Sequence, residues 1–172
     1  LTMDTKHIQS SVAGVVEYLK KNPAAALSED STAVAVLEKG LRCRVEGPGG
    51  AVVTTDMPTA IGGEGSAPGP GWLMRAALAA CDATMIAMRA AVEGVTLTEL
   101  EVKVDSDSDD RGLVGADDAV PAGPLRVRVR VRIVSTAPAE KLKKIIDWAE
   151  RHSPVGDAVR RAVPISMKIE TN

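Results

Sequence analysis

Between Pro70 and Val92 the chain reads PGWLMRAALAACDATMIAMRAAV, and this stretch limits the fold more than any other. A proline at its first position and Gly94 just beyond its end mark one long helix. Its polar residues Arg75, Asp82 and Arg89 recur every seventh position, so at 100° per residue they share one line about 40° wide. Every other surface is apolar or small, which predicts a central, buried helix. Alanines at 76, 77, 79, 80, 83, 87, 90 and 91 let a neighbouring helix or sheet cross at close range.

What packs on that helix is legible from the flanking periodicities. Ile8, Val12, Val15, Val16 and Leu19 form one face of a first helix that Asn22-Pro23 stops. From Thr32 to Asp56 the pattern is β: Leu41, Cys43 and Val45 alternate with charged residues, and Gly47-Pro48-Gly49-Gly50 turns the chain into AVVTTD, which predicts a hairpin. Residues 57–71 form a Gly/Pro loop. Leu100, Val102 and Val104 alternate with acidic residues and Lys103, and Val127, Val129, Val131 and Ile133 alternate with Arg126, Arg128, Arg130 and Arg132. These are two one-sided strands. Paired antiparallel, they set acids opposite arginines, each exposed pair worth roughly 0.2–1 kcal/mol. The connection 106–124 is long for a hairpin. Pro138 opens a helix with Leu142, Ile145, Ile146 and Ala149 on one face, Ser153-Pro154 caps a short last helix ended by Pro164, and Ile165, Met167 and Ile169 alternate in a closing strand. The order α-ββ-α-β-β-α-α-β is that of an α+β domain with an antiparallel sheet and helices on one face.

Composition excludes several functions. The chain has 172 residues, 45% apolar and 26% charged, the profile of one soluble domain spanning 1–172. A net charge of −2 supplies no positive field for nucleic acid or anionic lipid. With no Phe, one Tyr and two Trp, bases cannot be stacked on several rings. The nearly uncharged stretch 67–81 is too broken to span a membrane. The start, LTMDTKHIQSS, lacks the basic and apolar regions of a secretory signal, and unless an export signal has been trimmed from it a cytoplasmic protein is expected. Two cysteines, Cys43 and Cys81, with His7 and His152, make neither a disulfide framework nor a zinc set, so no metal or cofactor is expected.

Individual motifs have plain structural readings. The arginine row is a solvated, salt-bridged face. Asp105-Ser-Asp107-Ser-Asp109 begins like a calcium loop, but the positions needing Gly and a bidentate Glu hold Asp110 and Ala116. Gly69-Pro-Gly71 lacks the third glycine of a dinucleotide fingerprint. Ser153 beside His152 is a helix cap, because neighbours in a chain rarely point at one another. Cys43 alternates with inward Leu41 and Val45 as a small core residue. Cys81 lies in mid-helix and by periodicity alone reads as a buried, inert thiol; it is too deep for the N-terminal dipole to activate it, so reactivity there needs a cation from elsewhere.

The runs APGPGWLMRAALAACDATMIAMRA, VTLTELEVKVDSD, DDRGLVGADDAVPAGPLRVRVRVRI and APAEKLKKIIDWAERHSPVGDAV, with the Pro70-to-Cys81 spacing, resemble the OsmC/Ohr superfamily of thiol-dependent organic hydroperoxide reductases. The likeness covers about residues 50–171 and leaves 1–30 as an N-terminal helical extension. It implies an intertwined α+β homodimer, a strongly curved antiparallel sheet around long central helices, and active sites at the subunit interface. It places the peroxidatic cysteine at Cys81 and the resolving cysteine at Ser153. The family's glutamate falls at Gly71 or Trp72, and its activating arginine at Arg42 or Arg44. Without the resolving thiol, the implied activity is a one-cysteine peroxidase that reduces organic hydroperoxides with an external thiol, since a sulfenic acid condenses with thiols. Cys43 can take the resolving role only with its Cα within about 7 Å of that of Cys81. The alternative is a non-catalytic dimer that binds a small apolar ligand, with Trp72 filling the pocket mouth.

Overall fold

The computed structural model describes residues 4–171. The helices are α1 (Thr5–Lys21), α2 (Pro70–Val92), α3 (Asp110–Leu113), α4 (Ala139–His152) and α5 (Pro154–Arg160). The strands are β1 (Val34–Lys39), β2 (Arg42–Glu46), β3 (Val52–Thr55), β4 (Glu99–Asp107) and β5 (Arg126–Val134). β1, β2 and β3 form one sheet in that order, and β4 pairs with β5. The chain divides into two compact units: residues 4–9, Leu78–Lys103 and 130–171 make the first, and Ser10–Ala77 with Val104–Val129 the second.

The first unit is built on the C-terminal part of α2. Ile86, Ala90, Val95, Leu97, Ile145 and Ala149 form its buried core, flanked by Leu100, Val102, Val131, Ile133, Leu142 and Ile146. The stripe expected on α4 is therefore the face that packs, with Ile145 fully buried. α2 stops where the sequence says it must. Gly94 takes φ +67, its N–H donates to Ala91 O at 3.0 Å, and Val95 N–H reaches back to Ala90 O at 2.8 Å. That is a Schellman ending, sealed by burial of both Val95 and Ala90. Further donors cover the carbonyls at this end: Gln9 Nε2 bonds Val92 O at 3.1 Å and Lys141 Nζ bonds Glu93 O at 3.1 Å. Thr98 N–H donates to Val134 O at 2.8 Å, and Arg132 pairs with Glu99 at 3.1 Å.

In the second unit the expected hairpin is present as β2 and β3, with Cys43 opposite Thr55 and Glu46 opposite Val52. It carries a third strand, β1, which pairs antiparallel to β2 from Val34↔Glu46 to Lys39↔Arg42. All six β1 residues are exposed. Asp56, 1% exposed, then anchors the Gly/Pro loop. Its carboxylate accepts from Met57 N at 2.8 Å, Glu64 N at 3.2 Å, Ser66 N at 3.0 Å and Ser66 Oγ at 2.8 Å. Four donors on one carboxylate hold it ionised below the usual carboxylate range, the Ser66 backbone bond being the largest cause. The long connection is tied as well: Asp109 caps α3 by accepting from Arg111 N at 3.1 Å and pairs with the Arg111 guanidinium. Arg128 binds Asp105 at 2.6 Å and Asp107 at 2.8 Å, so the acids that open like a calcium loop are held by arginine.

Two expectations change. The closing strand at 165–170 does not form, and Ile165, Met167 and Ile169 stand 91%, 85% and 75% exposed. A strand needs a neighbour to take its backbone hydrogen bonds, and alternation alone supplies none. The long helix is not buried throughout: Leu78, Asp82, Ile86, Ala90 and Ala91 are, whereas Trp72 in its first turn is 49% exposed.

Candidate active site around Cys81

α2 carries Cys81 half-buried near its middle, as a free thiol. The residue that meets it arrives from 72 positions further along the chain. α4 ends at His152, the backbone turns extended at Ser153 (φ −75, ψ 112), and Pro154 starts α5 at the position where a missing N–H costs nothing. Ser153 is the N-cap, accepting from Gly156 N at 3.1 Å. Its hydroxyl hydrogen is left for Cys81, and Ser153 Oγ donates to Cys81 Sγ at 3.3 Å. Ser153 has no exposed surface, so water does not compete for that contact.

The end of α4 is stiffened by stacking. The Trp148 and His152 rings lie 4.1 Å apart at 10°, and the Arg89 guanidinium sits 4.8 Å from the Trp148 centroid. Arg89 is also paired with Glu93 at 2.7 Å. His152 Nδ1 meets Trp148 O at 2.7 Å, so the imidazole is engaged one helical turn back and the adjacent Ser153 is not its partner. Asp82, next to Cys81 in sequence, is buried, and its Oδ1 has no hydrogen-bond partner among the described residues.

Of the residues singled out in the sequence, Cys81 and Ser153 thus share one hydrogen bond. Arg42 and Arg44 lie in the second unit. Arg42 donates to Glu38 at 3.2 Å and to Ser66 Oγ at 2.8 Å, and Arg44 pairs with Glu46. Arg75 of the same unit donates to Ser106 Oγ at 3.1 Å. Cys43 is a half-buried free thiol on β2, opposite Leu37 and Thr55. Sequence reasoning passed over the Arg89–Trp148–His152 column, although the spacing of four between Trp148 and His152 puts the two rings on one helix face. No helix among the described residues is long and apolar enough to cross a membrane.

Residues 63–168, which include both Cys81 and Ser153, match the family of OsmC-like proteins. The chain belongs to that family. Solved structures share its fold. An OsmC-like protein from Mycoplasma pneumoniae superposes with a TM-score of 0.67 at 18% identity, over 79% of this chain and 91% of the other. An organic hydroperoxide resistance protein from Legionella pneumophila gives a TM-score of 0.54 at 24% identity, over 75% and 89% of the two chains. An Elizabethkingia anophelis organic hydroperoxide resistance protein gives 0.58 at 16%, over 79% and 91%. No curated protein matches the chain by sequence. The OsmC-like fold, an α+β architecture with antiparallel sheets, is therefore the fold of this chain.

Proposed function

We propose that this OsmC-like protein is a one-cysteine, thiol-dependent peroxidase that reduces organic hydroperoxides, with Cys81 as its nucleophile. The observation that carries the reading is the Ser153–Cys81 hydrogen bond of 3.3 Å. The start of α5 delivers a side chain to the Cys81 sulfur at the position where the family resemblance puts the resolving thiol. Solved relatives described as organic hydroperoxide resistance proteins support the substrate class.

The chemistry balances without a second cysteine. The Cys81 thiolate attacks one peroxide oxygen, a sulfur–oxygen bond forms as the oxygen–oxygen bond breaks, and with one proton the other fragment leaves as an alcohol. Sulfur is oxidised by two electrons to a sulfenic acid. An external thiol then attacks that sulfur and water leaves, giving a mixed disulfide. A second external thiol releases Cys81 and departs as a disulfide.

The reading includes a homodimer working in a reducing cytoplasm. Val34, Val36 and Leu37 on β1 and the apolar residues of the tail are half to almost fully exposed, which is surface a second copy would cover. The orphaned Asp82 oxygen is a group that such a copy can satisfy. Arg42 or Arg44 remains the proposed activating cation, acting once released from its present carboxylate.

The test is turnover of cumene hydroperoxide with dithiothreitol as reductant. Turnover in the unsubstituted protein and its loss in Cys81→Ser support the reading. No turnover, or turnover that survives Cys81→Ser, leaves the non-catalytic ligand-binding alternative in its place.

A further inference from the structure

A hydroxyl has one hydrogen and two lone pairs. At Ser153 the Gly156 N–H occupies one lone pair at 3.1 Å, and the hydrogen goes to Cys81 Sγ at 3.3 Å. Full burial of Ser153 and its place as the cap between α4 and α5 leave the hydroxyl little freedom to turn elsewhere. Ser153 is thus a fixed hydrogen-bond donor aimed at one sulfur.

We infer that Ser153 is a positioning residue that holds oxidised Cys81 at the sulfenic stage until an external thiol arrives. The inference rests on the peroxidase reading above and assigns the part Ser153 plays in it. A sulfenic acid has two fates. As a nucleophile, its deprotonated form attacks a second hydroperoxide, gaining another oxygen on sulfur and releasing a second alcohol, which gives the sulfinic acid. As an electrophile, it is attacked at sulfur by a thiol and loses water. Donation from Ser153 withdraws electron density from the sulfenate. It slows the first fate, and the polarised sulfur stays open to the second. A serine oxygen cannot close a disulfide, so the oxidised form waits for a thiol from outside.

The test uses the full chain with cumene hydroperoxide in excess and no thiol, followed by the mass of the peptide that carries Cys81. Ser153→Ala removes both cap and donor. Ser153→Gly removes the donor, and glycine is nearly as good as serine at an N-cap, so this variant keeps the fold. Ser153→Thr retains both roles. In the unsubstituted protein and Ser153→Thr, Cys81 takes up one oxygen and holds it. In the Ala and Gly variants the second oxygen arrives roughly ten- to a hundredfold faster, the effect of one hydrogen bond to a charged group. Equal rates of second-oxygen uptake in all four proteins overturn the assignment and leave Ser153 as a cap alone. No oxygen on Cys81 in any of them overturns the peroxidase reading itself, and the inference with it.

Discussion

Placing a second thiol at Ser153 tests the geometry of the site directly. In Ser153→Cys the new sulfur starts about where Ser153 Oγ stands, 3.3 Å from Cys81 Sγ, and must close to about 2.05 Å to bond. The two positions are 72 residues apart, and cross-linking a loop of that length removes denatured-state entropy worth about 4.4 kcal/mol at 25 °C. Against this stands the loss of a good cap, since sulfur accepts weakly from Gly156 N, at about 1 kcal/mol. The net expectation is about 3 kcal/mol of added stability in the oxidised variant, or roughly 6–12 °C in melting temperature for a domain of this size. The reduced variant should melt slightly below the parent, by a few degrees. Peptide mapping under non-reducing conditions identifies the bridge, and thermal melts with and without dithiothreitol give the energy. If mild oxidation leaves both thiols free, or pairs either with Cys43, the cap of α5 does not face Cys81 and the site as drawn is wrong.

Ile145, fully buried against α2, should cost about 2–5 kcal/mol when truncated in Ile145→Ala, read from urea midpoints; a loss under 1 kcal/mol would mean the first unit is not packed around it. Gly94→Ala puts a side chain at φ +67 in the Schellman ending and should cost about 1–2 kcal/mol in the same assay, whereas no loss would show that α2 ends differently. A Cβ on Gly63 would run into the Met57 carbonyl, so Gly63→Ala should destabilise by about 1–3 kcal/mol and speed proteolysis within 57–66; unchanged cleavage would count against the loop geometry. Asp56 gives the pH dependence. Its folded carboxyl is depressed below the unfolded value of 3.8, so its contribution is complete above about pH 4 and fades as pH falls toward the folded value. The stability gap between the parent and Asp56→Asn should therefore narrow below pH 4, and a gap independent of pH would refute the four-donor anchor.

How much of this could be read from the sequence follows from the range of each interaction. Gly94, the α4 stripe and the Ser153-Pro154 cap are local signals, and each appears where its chemistry requires. The arginine row on β5 was legible because its partners occupy a strand of matching alternation, and Arg128 and Arg132 find Asp105, Asp107 and Glu99. β1 was blurred because Val34-Ala35-Val36-Leu37 is a continuous apolar run, with no alternation to fix its limits. The closing strand shows the opposite error. Ile165-Ser-Met167-Lys-Ile169 alternates well, but alternation describes how a segment would lie in a sheet, and whether it lies there depends on an edge elsewhere.

The site was legible only in part for the same reason. Periodicity along α2 places Cys81 in mid-helix and says nothing about a partner 72 residues away. The resemblance named Ser153 as the counterpart, yet it described that position by what is missing. Read as a vacancy, the position says only that no disulfide with Cys81 closes there. Read as a fully buried hydroxyl that accepts from Gly156 N and donates to Cys81 Sγ, it gains an acceptor whose absence would cost about 1–3 kcal/mol. The cap that starts α5 and the contact that touches the thiol are the same atom. Any change that moves the start of α5 therefore moves the donor at Cys81.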